Sequence, residues 1–342
     1  MKENALQTKN RIDWIDLARG VGVLLVIFGH TKIPYFAAYL SYAFHIPLFF
    51  MISGICFKVN DVSFFDFLVK KIKTIIIPYI FCSFIILINL TLNDTLANGF
   101  SSAVLIDNCK KLIVQRHYQT VWFLACLFIC EILAYFILKY IKIKPIVLGV
   151  AVLLFGISFL YSKYYGDIAL PWAIDLVPAT LPFLLIGYTF KDYLKTLDIK
   201  FKFPIMLICL MMSLVCNSVN IKMFDIRQVN MFFNIYGNYV LFVLSSLSGS
   251  VAVIGLAQII SKVWAVNYIG ANSIPFFAFH QTLFYIINQL LGKPEFGRRL
   301  YLTAYWFVII VAVILVIYPF NELLIRTRLC VLIGKSKPIK KQ

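Results

Sequence analysis

The chain has 342 residues, of which 61% are hydrophobic and 14% charged, with a formal net charge of +17. A soluble chain carries roughly 25% charged residues, and no single soluble core hides apolar residues that come in blocks approaching the twenty or so needed to cross a bilayer. The basic residues lie between those blocks, so their excess is a topological signal and not a footprint of nucleic acid.

The expected fold is all-α and polytopic: one integral-membrane domain over residues 1–342, with about ten transmembrane helices. The apolar blocks lie at 17–33, 35–57, 74–93, 120–138, 145–161, 172–190, 203–220, 239–261, 272–291 and 301–321. The first block runs straight into the second and lacks a small-residue cleavage site, so no cleavable signal peptide is expected. With both termini in the cytoplasm, Lys and Arg favour the inside loops by about two to one, which is the orientation the charge bias selects. Eight cysteines lie mostly inside apolar segments, at spacings that match no zinc site. They are expected to act as small buried hydrophobes, Cys126 and Cys130 falling one turn apart, and no metal is expected.

Taken in chain order, the first block carries two ionisable groups that lipid does not tolerate without a partner or a cavity, Arg19 and His30. They are eleven positions apart, close to three full turns, so they share one face with a rise of about 16 Å between them. Arg19 then sits near the cytoplasmic end and His30 beyond mid-membrane. For Arg19 alone, snorkelling to the interface or pairing with Asp16 is the competing explanation. For His30 alone it is a satisfied core histidine. Gly20, Gly22 and Gly29 allow a neighbour to approach this helix closely. The second block contains His45, Pro47, Ser53 and Gly54. Pro47 is expected to bend its helix and free a carbonyl, and Ser53 with Gly54 to permit tight packing or a ligand contact. Lys70, Lys71 and Lys73 precede the third block, where ordinary positive-inside anchoring also accounts for them. His117, just before the fourth block, is placed in a loop.

These stretches resemble the acyltransferase-3 family of membrane acyltransferases, in particular the fucose 4-O-acetylase-like sugar O-acetyltransferases. The resemblance rests on Asp16-Leu17-Ala18-Arg19-Gly20 followed by Phe28-Gly29-His30, since Arg, ten residues, then His is that family's signature. It rests further on Phe44-His45-Ile46-Pro47-Leu48-Phe49-Phe50-Met51-Ile52-Ser53-Gly54, and on Lys70-Lys71-Ile72-Lys73 followed by Pro78-Tyr79. Weaker matches are Val121-Trp122-Phe123-Leu124, Leu181 to Tyr188, and Phe277-Ala278-Phe279-His280-Gln281. Many members carry arginine where this chain has Lys71 and Lys73; arginine grips phosphate with two parallel donors, lysine only as a point charge.

The resemblance implies transfer of an acyl group, by default acetyl, from acyl-CoA to a hydroxyl of a cell-surface carbohydrate. Acyl-CoA is then a donor substrate, with no permanently bound cofactor. The implied location is the bacterial cytoplasmic (inner) membrane, with the lipid bilayer as solvent and no nucleic-acid partner. A sugar hydroxyl needs a base, and an imidazole titrates in the right range, so His30 is the first candidate. Arg19 is placed on the donor's phosphates or on its thioester carbonyl, and Lys70, Lys71 and Lys73 form a basic rim for the nucleotide. His45, Ser53 and His280 are secondary candidates. So is Glu131, which has two open roles, orienting a base or partnering a buried cation. Trp122 and Asp175, the latter beside Trp172, are candidates for the acceptor, and an interface anchor explains the second pair equally well. The competing functions are a transporter or flippase for a lipid-linked sugar, and a non-enzymatic subunit of a polysaccharide synthase. No pair of interrupted hydrophobic segments marks the first, and the second does not need Arg19 and His30 on one face.

Overall fold

A computed structural model describes residues 12–30, 42–59, 63–114, 119–196, 199–290 and 305–338. Among them the chain is helical, with one isolated bridge between Asn230 and Ile235 in place of any strand. The helices are α1 (Asp13–Gly29), α2 (His45–Cys56), α3 (Phe64–Asn98), α4 (Ser102–Val114), α5 (Trp122–Tyr140), α6 (Lys144–Tyr165), α7 (Val177–Thr196), α8 (Ile199–Met223), α9 (Tyr239–Ile260), α10 (Trp264–Ala271), α11 (Ser273–Leu290) and α12 (Tyr305–Arg326). Among the described residues, seven stretches are long and apolar enough to cross a membrane: α3, α5, α6, α9 and most of α8 and α12, and Pro171–Lys195, which joins a 3-10 turn to α7. α2 and Ser273–Ile287 of α11 are shorter apolar helices. Parts of the expected spans at 17–33, 35–57, 272–291 and 301–321 fall outside the described residues, as does His117.

Local chemistry sets several boundaries. Ser63 caps α3 by accepting the Asp66 N–H at 3.1 Å, and Asn238 caps α9 through the N–H groups of Val240 and Leu241. Pro47 falls in the first turn of α2, where the missing N–H would have had no helical partner. It therefore starts a helix where the sequence suggested a bend. A π-helical turn, Ile72–Ile76, interrupts α3 directly after Lys71. Two helices arise where the sequence shows only loops, α4 and α10. In α10, Asn267 accepts the Val263 N–H at 2.8 Å and donates to Asp13 O at 2.7 Å, which ties the helix to the start of α1.

Two seams depend on residues without a Cβ. A side chain at Gly54 would run into Leu184 O, and one at Gly187 into Met51 O, so α2 and α7 touch backbone to backbone. Serine hydroxyls glue other helices: Ser246 donates to Ala43 O at 2.6 Å, and Ser213 to Ser245 O at 2.8 Å. Cys126 and Cys130 lie against the Thr180 hydroxyl at 3.4 and 3.2 Å, joining α5 to α7.

The start of α1, the end of α2, the start of α3, the end of α5, the start of α6 and the end of α7 meet at one end of the bundle. Phe57 packs on Tyr188 (6.4 Å between ring centres), Phe64 on Phe136 (4.9 Å), and Lys144 lies 3.9 Å from Asp192. This end is strongly basic. The opposite end gathers His30, Tyr42, Thr120, Trp122 and the turn at Asn230–Phe233. Between them lies an apolar layer in which Val23, Val26 and Ile27 of α1 are buried beside the Phe49–Phe123–Phe277 cluster.

Candidate active site

His30 closes α1, its N–H still bonded to Val26 O and Ile27 O, so the helix itself aims the imidazole into a pocket of about 350 Å³. The pocket is lined by His45, Thr120, Trp122, Phe232 and Gln281 among others. Gln281 Nε2 lies 3.0 Å from His30 Nδ1 and 3.2 Å from Nε2, so the amide reaches whichever ring nitrogen bears the lone pair. Tyr42 donates to Gly29 O at 3.2 Å, and its hydroxyl is 3.5 Å from His30 Nδ1. The His45 ring meets Tyr42 edge to face at 5.0 Å. His280 is 0% exposed, with its ring 5.1 Å from that of His30. Its Nδ1 lies 2.8 Å from Phe277 O, a carbonyl that only accepts, so the proton sits on Nδ1. That leaves Nε2 as a buried acceptor, and it has no hydrogen-bond partner among the described residues.

The opposite wall is aromatic. Trp122 begins α5 and packs on Phe232 at 5.5 Å. Phe232 belongs to the turn Asn230–Ile235, closed by backbone bonds of 2.7 and 3.0 Å. Asp175, 3% exposed, braces that turn from behind: its carboxylate accepts Asn234 Nδ2 at 3.1 Å and the Leu170 N–H at 3.2 Å. Asp175 thus touches the pocket through Asn234 and does not line it. Trp172, with a left-handed backbone (φ 59), donates to Ile113 O at 3.1 Å and so fastens α4 to the start of α7.

Arg19 faces a second pocket, of about 370 Å³, at the basic end of α1, shared with Asp16, Cys56, Lys58, Lys191 and Lys195. Its Nη2 is 3.5 Å from Cys56 Sγ. Lys71 Nζ lies 2.5 Å from Glu131 and 5.3 to 5.6 Å from the centres of the Phe67 and Phe57 rings. Of the two roles open to Glu131, partner of a cation is the one its contact fills. It sits nine residues, about 14 Å, along α5 from Trp122, and Gln281 occupies the place beside His30. Lys70 and Lys73 are exposed on α3, and Ser53 is half-buried and lines neither pocket.

The structure brings together His30, His45, His280 and Trp122, and separates them from Arg19, Lys70, Lys71 and Lys73. The sequence pattern of a family described as an acyltransferase domain matches residues 12–321, which takes in both pockets. The chain belongs to the acyltransferase-3 family. It is a membrane acyltransferase, multi-pass and helical throughout the described residues. No curated protein and no solved structure matches it. Parts of the motifs that carry the acyltransferase-3 resemblance line its pockets: Arg19 faces one, and His30, His45, Trp122 and Gln281 face the other. Sequence reasoning missed Tyr42, Thr120, Asn230 and Gln281 at one end, and Lys58, Lys191 and Lys195 at the other. Gln281 sat inside a quoted motif, and Tyr42 two residues before another; the i, i+4 spacing of Lys191 and Lys195 was a legible signal. Nothing in the sequence tied Asn230 to His30.

Proposed function

We propose that this protein is an O-acyltransferase that moves an acyl group, by default acetyl, from acyl-CoA to a hydroxyl of a cell-surface carbohydrate. The observation that carries this reading is the division of α1: a base at its C-terminal end in a polar and aromatic pocket, and a cation in its N-terminal half in a basic one. Trp122 and Phe232 offer flat faces to a sugar ring, while Thr120, Asn230 and Gln281 offer polar groups to its hydroxyls. His30 takes the proton of the acceptor hydroxyl as its oxygen attacks the thioester carbonyl. When the tetrahedral intermediate collapses, the C–S bond breaks and the imidazolium returns the proton to the departing thiolate. Arg19 faces the donor's phosphates, and in the basic rim on the same side Lys70 and Lys73 draw in the anionic donor while Lys71 is held by Glu131. The rise of about 16 Å between Arg19 and His30 suits a donor whose phosphates and thioester are joined by a long arm. Val23, Val26 and Ile27 fill the space between, so the arm must part that apolar layer to deliver the acyl group.

In this reading ten helices cross the bacterial inner membrane. Both termini and the basic end face the cytoplasm, where acyl-CoA is made, and the His30 pocket faces outward. The test is release of free CoA from acetyl-CoA by the protein in nanodiscs, with surface polysaccharide from a deletion strain as acceptor. Release that depends on the acceptor, and falls about 10²- to 10⁴-fold in His30→Gln, is expected for a general base. Full activity in His30→Gln at equal protein level refutes the assignment.

A further inference from the structure

The pocket around Arg19 draws its walls from three helices. Arg19 comes from α1, Lys58 lies just beyond α2, and Lys191 and Lys195 stand one turn apart near the end of α7. Asp16 is the one carboxylate in that lining. Lys58, Lys144 and Lys195 repel Lys191, Asp192 attracts it, and its ammonium lies 3.9 Å from the centre of the Tyr188 ring. Four cations facing one carboxylate make a focused positive potential, which a multiply charged anion relieves. Arg19 adds a planar fork able to take two phosphate oxygens at once, and the lysines supply point charges around it.

The lysines before α3 are placed differently. Lys71 already has Glu131 at 2.5 Å and two aromatic rings beside it. Lys70 and Lys73 are exposed, as are Lys58 and Lys195, but unlike those two they converge on no cavity with Arg19. Phe57 joins the two groups, since it lines the Arg19 pocket on one side and meets Lys71 on the other.

We infer that Arg19, Lys58, Lys191 and Lys195 form the phosphate-binding subsite of the donor, and that Lys58, Lys191 and Lys195 set its affinity. This rests on the acyl-CoA reading above. Lys70 and Lys73 then act only as long-range attraction, and Lys71 as a structural charge held by Glu131. The shared chemistry is a clustered phosphate, which an anionic lipid headgroup of the same leaflet also presents.

The test is titration of CoA itself into protein held in nanodiscs, once with neutral phosphatidylcholine and once with added phosphatidylglycerol, alongside initial rates with acetyl-CoA. Lys191→Gln and Lys195→Gln are each expected to weaken CoA binding in neutral lipid about tenfold, and to raise the donor KM more than they lower kcat, because phosphate contacts persist through the reaction. Lys110→Gln, an exposed charge on α4 outside both pockets, controls for loss of net charge, and the thermal unfolding midpoint controls for folding. Unchanged CoA affinity in both lysine variants overturns the inference while leaving the acyltransferase reading intact. Loss of phosphatidylglycerol-dependent stability without loss of CoA affinity also overturns it, in favour of a headgroup site. CoA binding that depends on Lys191 and Lys195, in a protein that releases no CoA with any carbohydrate, supports the subsite and refutes the proposed acceptor class.

Discussion

Replacing Gln281 with Leu removes the amide next to His30 and keeps a side chain of similar size. In the resting site Gln281 Nε2 donates to an imidazole nitrogen at 3.0 to 3.2 Å, a neutral bond worth about 1 kcal/mol. Once His30 has taken the acceptor's proton, both ring nitrogens are donors. The amide must then turn its oxygen toward the ring, making a charge-assisted bond of about 1.5–3 kcal/mol. Only the difference between the two states affects the chemical step. That difference, about 0.5–2 kcal/mol, predicts a fall in kcat of about two- to thirtyfold with little change in the donor KM. The assay is acceptor-dependent release of CoA, measured on wild type, Gln281→Leu, His30→Gln and the double variant. Because Gln281 acts through His30, the two losses should not add, and Gln281→Leu should cost almost nothing in the His30→Gln background. An unchanged kcat in the single variant, or an equal loss in both backgrounds, refutes the argument.

Removing the Glu131 carboxylate as Glu131→Gln strands Lys71, whose side chain is 17% exposed, among aromatic rings; a loss of about 3 kcal/mol is expected from a thermal melt in detergent, and Glu131→Leu combined with Lys71→Met should recover much of it. Gly187→Ala drives a methyl into Met51 O on the facing helix, and should lower stability by about 1–3 kcal/mol through overpacking, again read as the unfolding midpoint. Asp175→Ala frees the Asn234 turn that carries Phe232 and Phe233; the acceptor KM should rise while CoA affinity stays the same. In whole cells, an impermeant thiol reagent should label a cysteine placed at Lys110 and spare one at Lys73 if the basic end faces the cytoplasm; the reverse pattern inverts the topology.

The sequence by itself determined the solvent, the helical class and the two residues that anchor the reading. Long apolar blocks admit only helices in lipid, because every backbone polar group must find a partner within its own segment. A charge inside such a block is costly wherever it occurs, so Arg19 and His30 stood out without any neighbour being known. Helical periodicity then fixed their shared face and their separation, and the structure gives each its own pocket, Arg19 in the N-terminal half of α1 and His30 just past its C-terminal end. What surrounds them depends on which helices cross, and that is set by contacts remote in sequence. Gln281 is 251 residues from His30, and Asp175 reaches the pocket only by holding Asn234. Lys71 was legible as a basic residue before α3, yet its contact with Glu131 exists only once α3 lies against α5. Lys58, Lys191 and Lys195 resembled ordinary inside-loop charges, because sign and position along the chain are the same for a charge that snorkels and one that faces a cavity. Only the close meeting of α2 and α7, backbone to backbone at Gly54 and Gly187, brings those lysines around Arg19. The type of each group is a property of the residue, and its partner is a property of the packing.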